Sequence, residues 1–161
     1  MVPKNLQEEI SRSRPFESVA EESYLAIVRT AGAVSTAVSR FLKEQGLSEP
    51  QYNVLRILTG AGSEGLPCQE IGGRMITPVP DVTRLVDRLE KAGWAERRRT
   101  DSDRRVVRVV ATTAGKRLAR SLRPKLIEIH EQQLAEVSAK DLRSLNKLLA
   151  SLRESIEHAH A

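Results

Sequence analysis

Thr77-Pro78-Val79-Pro80-Asp81-Val82-Thr83-Arg84-Leu85-Val86-Asp87-Arg88-Leu89-Glu90-Lys91-Ala92-Gly93 is the stretch that decides the fold of this chain. Val82, Leu85, Val86 and Leu89 recur at helical spacing and make one apolar stripe, while Thr83, Arg84, Asp87 and Arg88 fall away from it. The segment therefore reads as an amphipathic helix that buries one side and offers a polar, cationic side. Thr77 is placed to cap it, Pro78 suits the first helical position, and Pro80 still falls in the first turn, where no N–H is needed. Gly93 stops it.

Upstream, Pro67 opens a short helix. Ser48 with Gln51 forms a capping box for another, running through Tyr52, Val54, Leu55 and Leu58 to a loop with Gly60, Gly62 and Gly65. Earlier still, Tyr24, Ile27, Ala31, Val34, Val38, Phe41 and Leu42 predict one long helix from Ser18 to Gln45, stopped by Gly46.

Downstream the period changes. Trp94 to Arg99 and Val106 to Val110 read as strands around a polar tip, Thr100 to Asp103, because β-branched residues suit a pleated surface. Thr112 or Thr113 opens a further helix through Leu118, Leu122, Leu126, Ile129 and Leu134, with a bend at Pro124. Ser138 and Asp141 cap the last helix, striped by Leu142, Leu145, Leu148, Leu149, Leu152 and Ile156.

A short helix, a turn, an amphipathic helix and then a hairpin make the layout of a winged helix-turn-helix. The expected fold class is mainly α with a small β-hairpin wing, carried between long N- and C-terminal dimerisation helices. The boundaries fall at 1–47 for an N-terminal arm and first dimerisation helix, 48–112 for the DNA-binding domain, and 113–161 for the C-terminal dimerisation helices. Two long terminal segments carry more apolar face than so small a unit covers, so a second copy of the chain is the expected partner. Ile27, Val34, Leu142, Leu145, Leu149 and Leu152 are the candidate contacts between copies.

The charge agrees with this layout. The chain has 161 residues and a net charge of +5, a modest excess. Its placement is more telling, since six arginines stand against two aspartates between Arg97 and Arg108. In a helix-turn-helix the second helix enters the major groove, about 12 Å wide, with its N-terminal outward side chains at base edges. Thr77, Val79, Pro80, Asp81, Thr83, Arg84 and Arg88 are then candidate contacts to double-stranded DNA. Val79 and Pro80 cannot donate a hydrogen bond, so they are expected to make apolar contact, as with thymine methyl groups. Asp81 has two readings: it accepts from a cytosine amino group, or it serves the positive end of the helix. Arg98 and the other hairpin arginines can reach phosphates or an adjacent minor groove. Ion pairs along the helix, such as Arg84 with Asp87, contribute only about 0.2 to 0.5 kcal/mol and do not account for the pattern.

Three segments together resemble the MarR family of regulators (multiple antibiotic resistance regulators). They are Asp81 to Gly93, Asp101-Ser102-Asp103-Arg104-Arg105, and Val109-Val110-Ala111-Thr112-Thr113-Ala114-Gly115. The likeness extends through Gln51-Tyr52-Asn53-Val54-Leu55-Arg56 to the leucine-striped C-terminus. It implies four helices, a two-stranded wing and two further helices, paired with a second protomer through the first and last of them. It implies that Thr83 and Arg84 face bases, that Asp103 braces the wing, and that Arg104 and Arg105 stand near the minor groove. It further implies an inverted-repeat operator, repression, and a small aromatic or amphipathic ligand that weakens DNA binding.

Other classes find little support. There is no nucleophile and base at useful spacing and no phosphate-binding glycine loop, so an enzyme is not expected. Aromatic residues are 3% of the chain, too few for a single-strand stacking platform. A helical dimeric module that has lost DNA binding is the remaining alternative. His130, His158 and His160 are scattered, and Cys68 is the only cysteine, so no metal site, cofactor or internal disulfide is expected. Cys68 lies near the start of the short third helix, whereas peroxide-sensing relatives carry theirs in the first helix. No stretch approaches about 18 uninterrupted apolar residues, and the N-terminus lacks the apolar run of a signal peptide. The expected location is the cytoplasm, without a membrane partner.

Overall fold

Side-chain caps set where most helices of this chain begin. In the computed structural model, which describes residues 5–99 and 107–159, the order is α1 (Leu6–Glu9), α2 (Val19–Glu44), α3 (Glu49–Gly60), α4 (Cys68–Gly73), α5 (Val82–Lys91), β1 (Ala95–Arg99), β2 (Val107–Ala111), α6 (Thr113–Gln133) and α7 (Ala139–Ala159). Ser18 accepts from the Glu21 amide at the start of α2, and Ser48 with Gln51 forms the expected capping box on α3. Ser138 accepts from the Asp141 amide at the start of α7. Gly46 and Gly93 take positive φ just past α2 and α5, which lets the chain turn away.

The chain falls into two compact units, Met1–Leu126 and Ile127–Ala161. The core of the first gathers Leu42, Val54, Leu55, Leu58, Ile71, Val86, Leu89 and Val109, all fully buried. Asn53 is a polar member of this interior, and its Oδ1 accepts from the Ile76 amide at 2.9 Å. That bond fixes the loop between α4 and α5 onto α3. It also satisfies a carbonyl that burial would otherwise leave unmatched.

β1 and β2 pair antiparallel with Arg97 opposite Val109 and Arg99 opposite Val107. Leu66 adds a bridge to the outer side of β2, exchanging backbone hydrogen bonds with Val109 at 3.0 and 2.8 Å. Gly65 is required beside it. Its φ is +64°, and a Cβ there would overlap the Val109 carbonyl oxygen.

α2 buries only Leu42 completely, and Val38 and Phe41 pack on the core near its C-terminal end. There the hydroxyls of Ser35 and Ser39 donate to Glu49 at the start of α3, the first at 2.6 Å. The remainder leaves Val19, Tyr24, Ile27, Val28 and Val34 exposed. By length and composition α2 is apolar enough to cross a membrane. α6 continues as helix through Pro124. α7 leaves Leu145, Leu148, Leu152 and Ile156 exposed, with Leu142 and Leu149 half-buried.

One sequence expectation is corrected. The amphipathic helix starts at Val82 with Asp81 as its cap, not at Pro78 with Thr77 as its cap. Thr77, Pro78, Val79 and Pro80 belong to the loop before it. Each proline disfavours helical backbone at the residue before it, so Thr77 and Val79 are held out of the helix. Asp81 then supplies the better cap.

Candidate nucleic-acid interface

α5 divides its side chains as the sequence pattern requires. Leu85, Val86 and Leu89 are buried, and Thr83, Arg84, Asp87 and Arg88 are exposed. The side chain of Arg84 is 80% exposed. Asp81 holds it twice: Oδ1 accepts from the Arg84 amide at 3.0 Å, and Oδ2 pairs with Arg84 Nε at 3.0 Å. Of the two readings of Asp81, the helix cap is the one the geometry displays. Arg84 therefore pairs with Asp81 and not with Asp87. Arg88 makes no ion pair among the described residues.

The loop ahead of α5 differs from the expectation in which side chain it exposes. Val79 is half-buried and packs against the core, so it is turned away from the surface that Thr83 and Arg84 form. Ile76 is 76% exposed instead. Of these two apolar side chains the loop therefore exposes Ile76 rather than Val79, and the Asn53 bond to the Ile76 amide fixes the course of the loop there. Pro80 and Thr77 are exposed. No periodic signal in the sequence marks Asn53, whose neighbours three and four residues away are Glu49, Pro50, Arg56 and Ile57.

The arginines of the hairpin separate into two groups. Arg98 is exposed and pairs along its own strand with Glu96, its Nε at 2.7 Å from Oε1. Arg99 is exposed too. Arg97 is turned inward onto α5: Nη2 lies 2.7 Å from Asp87 Oδ1, Nη1 pairs with Glu90, and the Arg97 amide donates to Glu90 Oε1 at 2.8 Å. Burial works against the guanidinium charge, but the hydrogen bond to Asp87 and the charges of Glu90 and Asp87 more than offset it and raise the Arg97 pKa. Arg108 donates to the Gly65 carbonyl at 3.1 Å. Two members of the basic run are therefore internal ties. Asp103, Arg104 and Arg105 lie outside the described residues.

A knot of hydrogen bonds through Thr112 joins the end of α5 to the end of β2. Thr112 donates its hydroxyl to Gly93 O at 2.7 Å and its amide to Trp94 O at 3.0 Å. The Gly115 amide donates in turn to the Thr112 hydroxyl at 3.1 Å, which opens α6. Among the described residues no three metal-ligating side chains stand together.

Residues 47–107 match the model of the MarR family. The crystal structure of a MarR transcription factor from Planctomyces limnophilus is 35% identical, with a TM-score of 0.65 over 84% of this chain and 98% of that one. The transcriptional repressor MprA of Escherichia coli is 26% identical over 119 residues, 74% of this chain and 68% of its own. CouR from Rhodococcus jostii RHA1, solved bound to p-coumaroyl-CoA, is 25% identical, with a TM-score of 0.71 over 85% of this chain and 95% of its own.

Proposed function

The chain belongs to the MarR family, and on that premise we propose that this DNA-binding transcriptional regulator works as a cytoplasmic homodimeric repressor, released from an inverted-repeat operator by a small ligand. The observation that carries the reading is the outward face of α5, where Thr83, Arg84 and Arg88 stand exposed beside the arginine-bearing strand β1. A cationic helix of this width fits the major groove, and an adjoining basic hairpin suits phosphates or the minor groove. Ile76 takes the role of apolar contact that the sequence assigned to Val79, because it is the apolar side chain left outside on that loop. Arg98, Arg104 and Arg105 supply wing contacts, with Asp103 as brace.

Residues 48–112 form the DNA-binding domain in this reading, with 1–47 and 113–161 as dimerisation segments. Ile27 and Val34 on α2, with Leu145 and Leu152 on α7, are exposed apolar side chains that a second copy would cover. Such cover also accounts for an α2 that is apolar and yet tied to α3 through Glu49. Repression follows the relative MprA, which is a repressor. An aromatic or amphipathic effector follows CouR, whose bound p-coumaroyl-CoA is both.

The reading is tested by a gel shift with duplex DNA from the region upstream of the gene. A shift resistant to excess unrelated duplex is expected, lost with Thr83→Ala/Arg84→Ala. Equal competition by any duplex removes sequence-specific regulation, and no shift at low salt favours the interaction module.

A further inference from the structure

We propose that Arg97 is a positioning residue that sets how far the wing stands from the recognition helix α5, and is not itself a DNA contact. It is the one described arginine of the hairpin whose guanidinium reaches α5, where it engages Asp87 and Glu90 together, and its own amide binds Glu90 again. Its side chain is 29% exposed, against 59% for Arg98 on the next position of the strand. The same strand position pairs with Val109, whose far side is bridged to Leu66. β1 and β2 at this level are thus fastened on one side to α5 and on the other to the core. Arg98 and Arg99, the next residues of β1, inherit their reach from this fastening.

The arrangement has an electrostatic side as well. Asp87 lies one turn after Thr83 on the exposed face of α5. An unmatched carboxylate there would repel a phosphate backbone, and Arg97 neutralises it from behind. Shared between the carboxylates of Asp87 and Glu90, the Arg97 guanidinium has no surplus positive charge to offer a phosphate.

The inference rests on the reading of the wing as a DNA contact, and the test separates the two. The full-length protein is titrated with its upstream duplex over a salt series. The isocharged pair Arg97→Gln/Glu90→Gln should weaken binding about tenfold, since the wing loses its placement. The slope of log K against log salt should become shallower as the wing contacts go, and Arg104→Ala should lower it no further in this background. In this background Arg104→Ala should cost much less than it does alone, while Arg84→Ala should cost the same in both. A slope that Arg104→Ala lowers by about a further 0.9 in this background means that Arg97 was lost as a phosphate contact of its own, and overturns the proposal. So does an Arg104→Ala cost that is identical in the two backgrounds.

If Arg104→Ala costs nothing in the unaltered protein, the wing reading fails, and amide exchange decides the positioning role alone. Faster exchange at Glu96 to Arg99 in Arg97→Gln, with α5 unchanged, keeps it. Unchanged protection of β1 overturns it. Arg97→Lys, which keeps the charge but loses the planar fork that reaches both carboxylates, should fall between Arg97→Gln and the unaltered protein.

Discussion

Gly115 is pressed so closely on the carbonyl oxygen of Trp94 that a Cβ there would overlap it and lie 3.0 Å from Leu55 Cδ1. That carbonyl already accepts from the Thr112 amide, and Gly93 beside it accepts from the Thr112 hydroxyl. The exits of the recognition helix and of the wing are therefore locked at one point.

Gly115→Ala should lower stability by about 1 to 3 kcal/mol, because the neighbour that must give way is backbone. Gly60, the last residue of α3, has nothing within 4 Å of an added Cβ. Gly60→Ala should leave the thermal midpoint unchanged or slightly higher. Equal midpoints for the two variants would contradict the close packing at Trp94.

Val79→Ala and Ile76→Ala should separate stability from recognition. Val79 packs on the core, so its truncation should cost about 1 to 2 kcal/mol of folding free energy and leave base preference intact. Ile76 is exposed, so its truncation should leave the melting curve in place. Binding-site selection with Ile76→Ala should show weakened preference at a position bearing thymine. The reverse assignment of the two phenotypes would return Val79 to the DNA face.

How much of this was legible in the sequence differs from one element to the next. The stripe Val82, Leu85, Val86 and Leu89 gave the buried face of α5 correctly, because a helix imposes its period on neighbours in sequence. The start of that helix was misplaced by four residues, since Pro78 and Pro80 are tolerated in a first turn but also restrict the residues before them. Only the fold shows which constraint prevails. The basic run was read as one patch, yet Arg97 and Arg108 are internal ties. Their partners, Asp87 and Gly65, lie 10 and 43 residues away in the chain, so no local pattern announces them. The Leu66 bridge to Val109 escapes for the same reason, and the short helix Leu6–Glu9 carries no apolar period to reveal it.

Asp81→Ala removes a helix cap and releases Arg84 at once. Loss of the cap should cost about 1 kcal/mol of stability. Arg84→Ala should leave stability nearly unchanged, since the pair it breaks is exposed, but should cost about 1 to 3 kcal/mol in operator binding and relax preference at a guanine. Thermal denaturation and binding-site selection on both variants check this. An Arg84→Ala protein that keeps the full wild-type base preference would place the reading face elsewhere.

Tyr52 packs against the core, and burial raises its pKa above the ordinary value of 10.0. A group whose folded pKa lies above its unfolded one stabilises the fold below the unfolded value and loses that contribution as pH rises through the folded one. Stability should therefore decline with increasing pH from about 10 upward, where the phenol must ionise in a poorly solvated place. Tyr52→Phe should remove that part of the decline while leaving the neutral-pH melting temperature close to wild type. Chemical denaturation at several pH values measures it, and identical alkaline slopes for the two proteins would count against the burial argument.

The proposed dimer gives the last prediction. α7 presents Leu145, Leu148, Leu152 and Ile156 to solvent, and α2 presents Tyr24, Ile27 and Val28. Two such faces on neighbouring copies can remove each other from water, and each CH2 buried is worth about 0.8 kcal/mol. An arginine placed within that contact is an unpaired buried charge, which costs several kcal/mol. Leu145→Arg/Leu149→Arg should accordingly sediment as a monomer or aggregate where the unaltered chain sediments as a dimer. The same variant should keep α5 and the wing folded, since Leu145 and Leu149 belong to the second compact unit. Its DNA binding should nevertheless collapse, because two recognition helices on a two-fold axis engage half-sites about one helical turn apart and each alone holds only one of them. Footprinting should then show symmetric protection by the unaltered protein and none by the variant. A variant that stays dimeric and protects both half-sites would move the interface off α7.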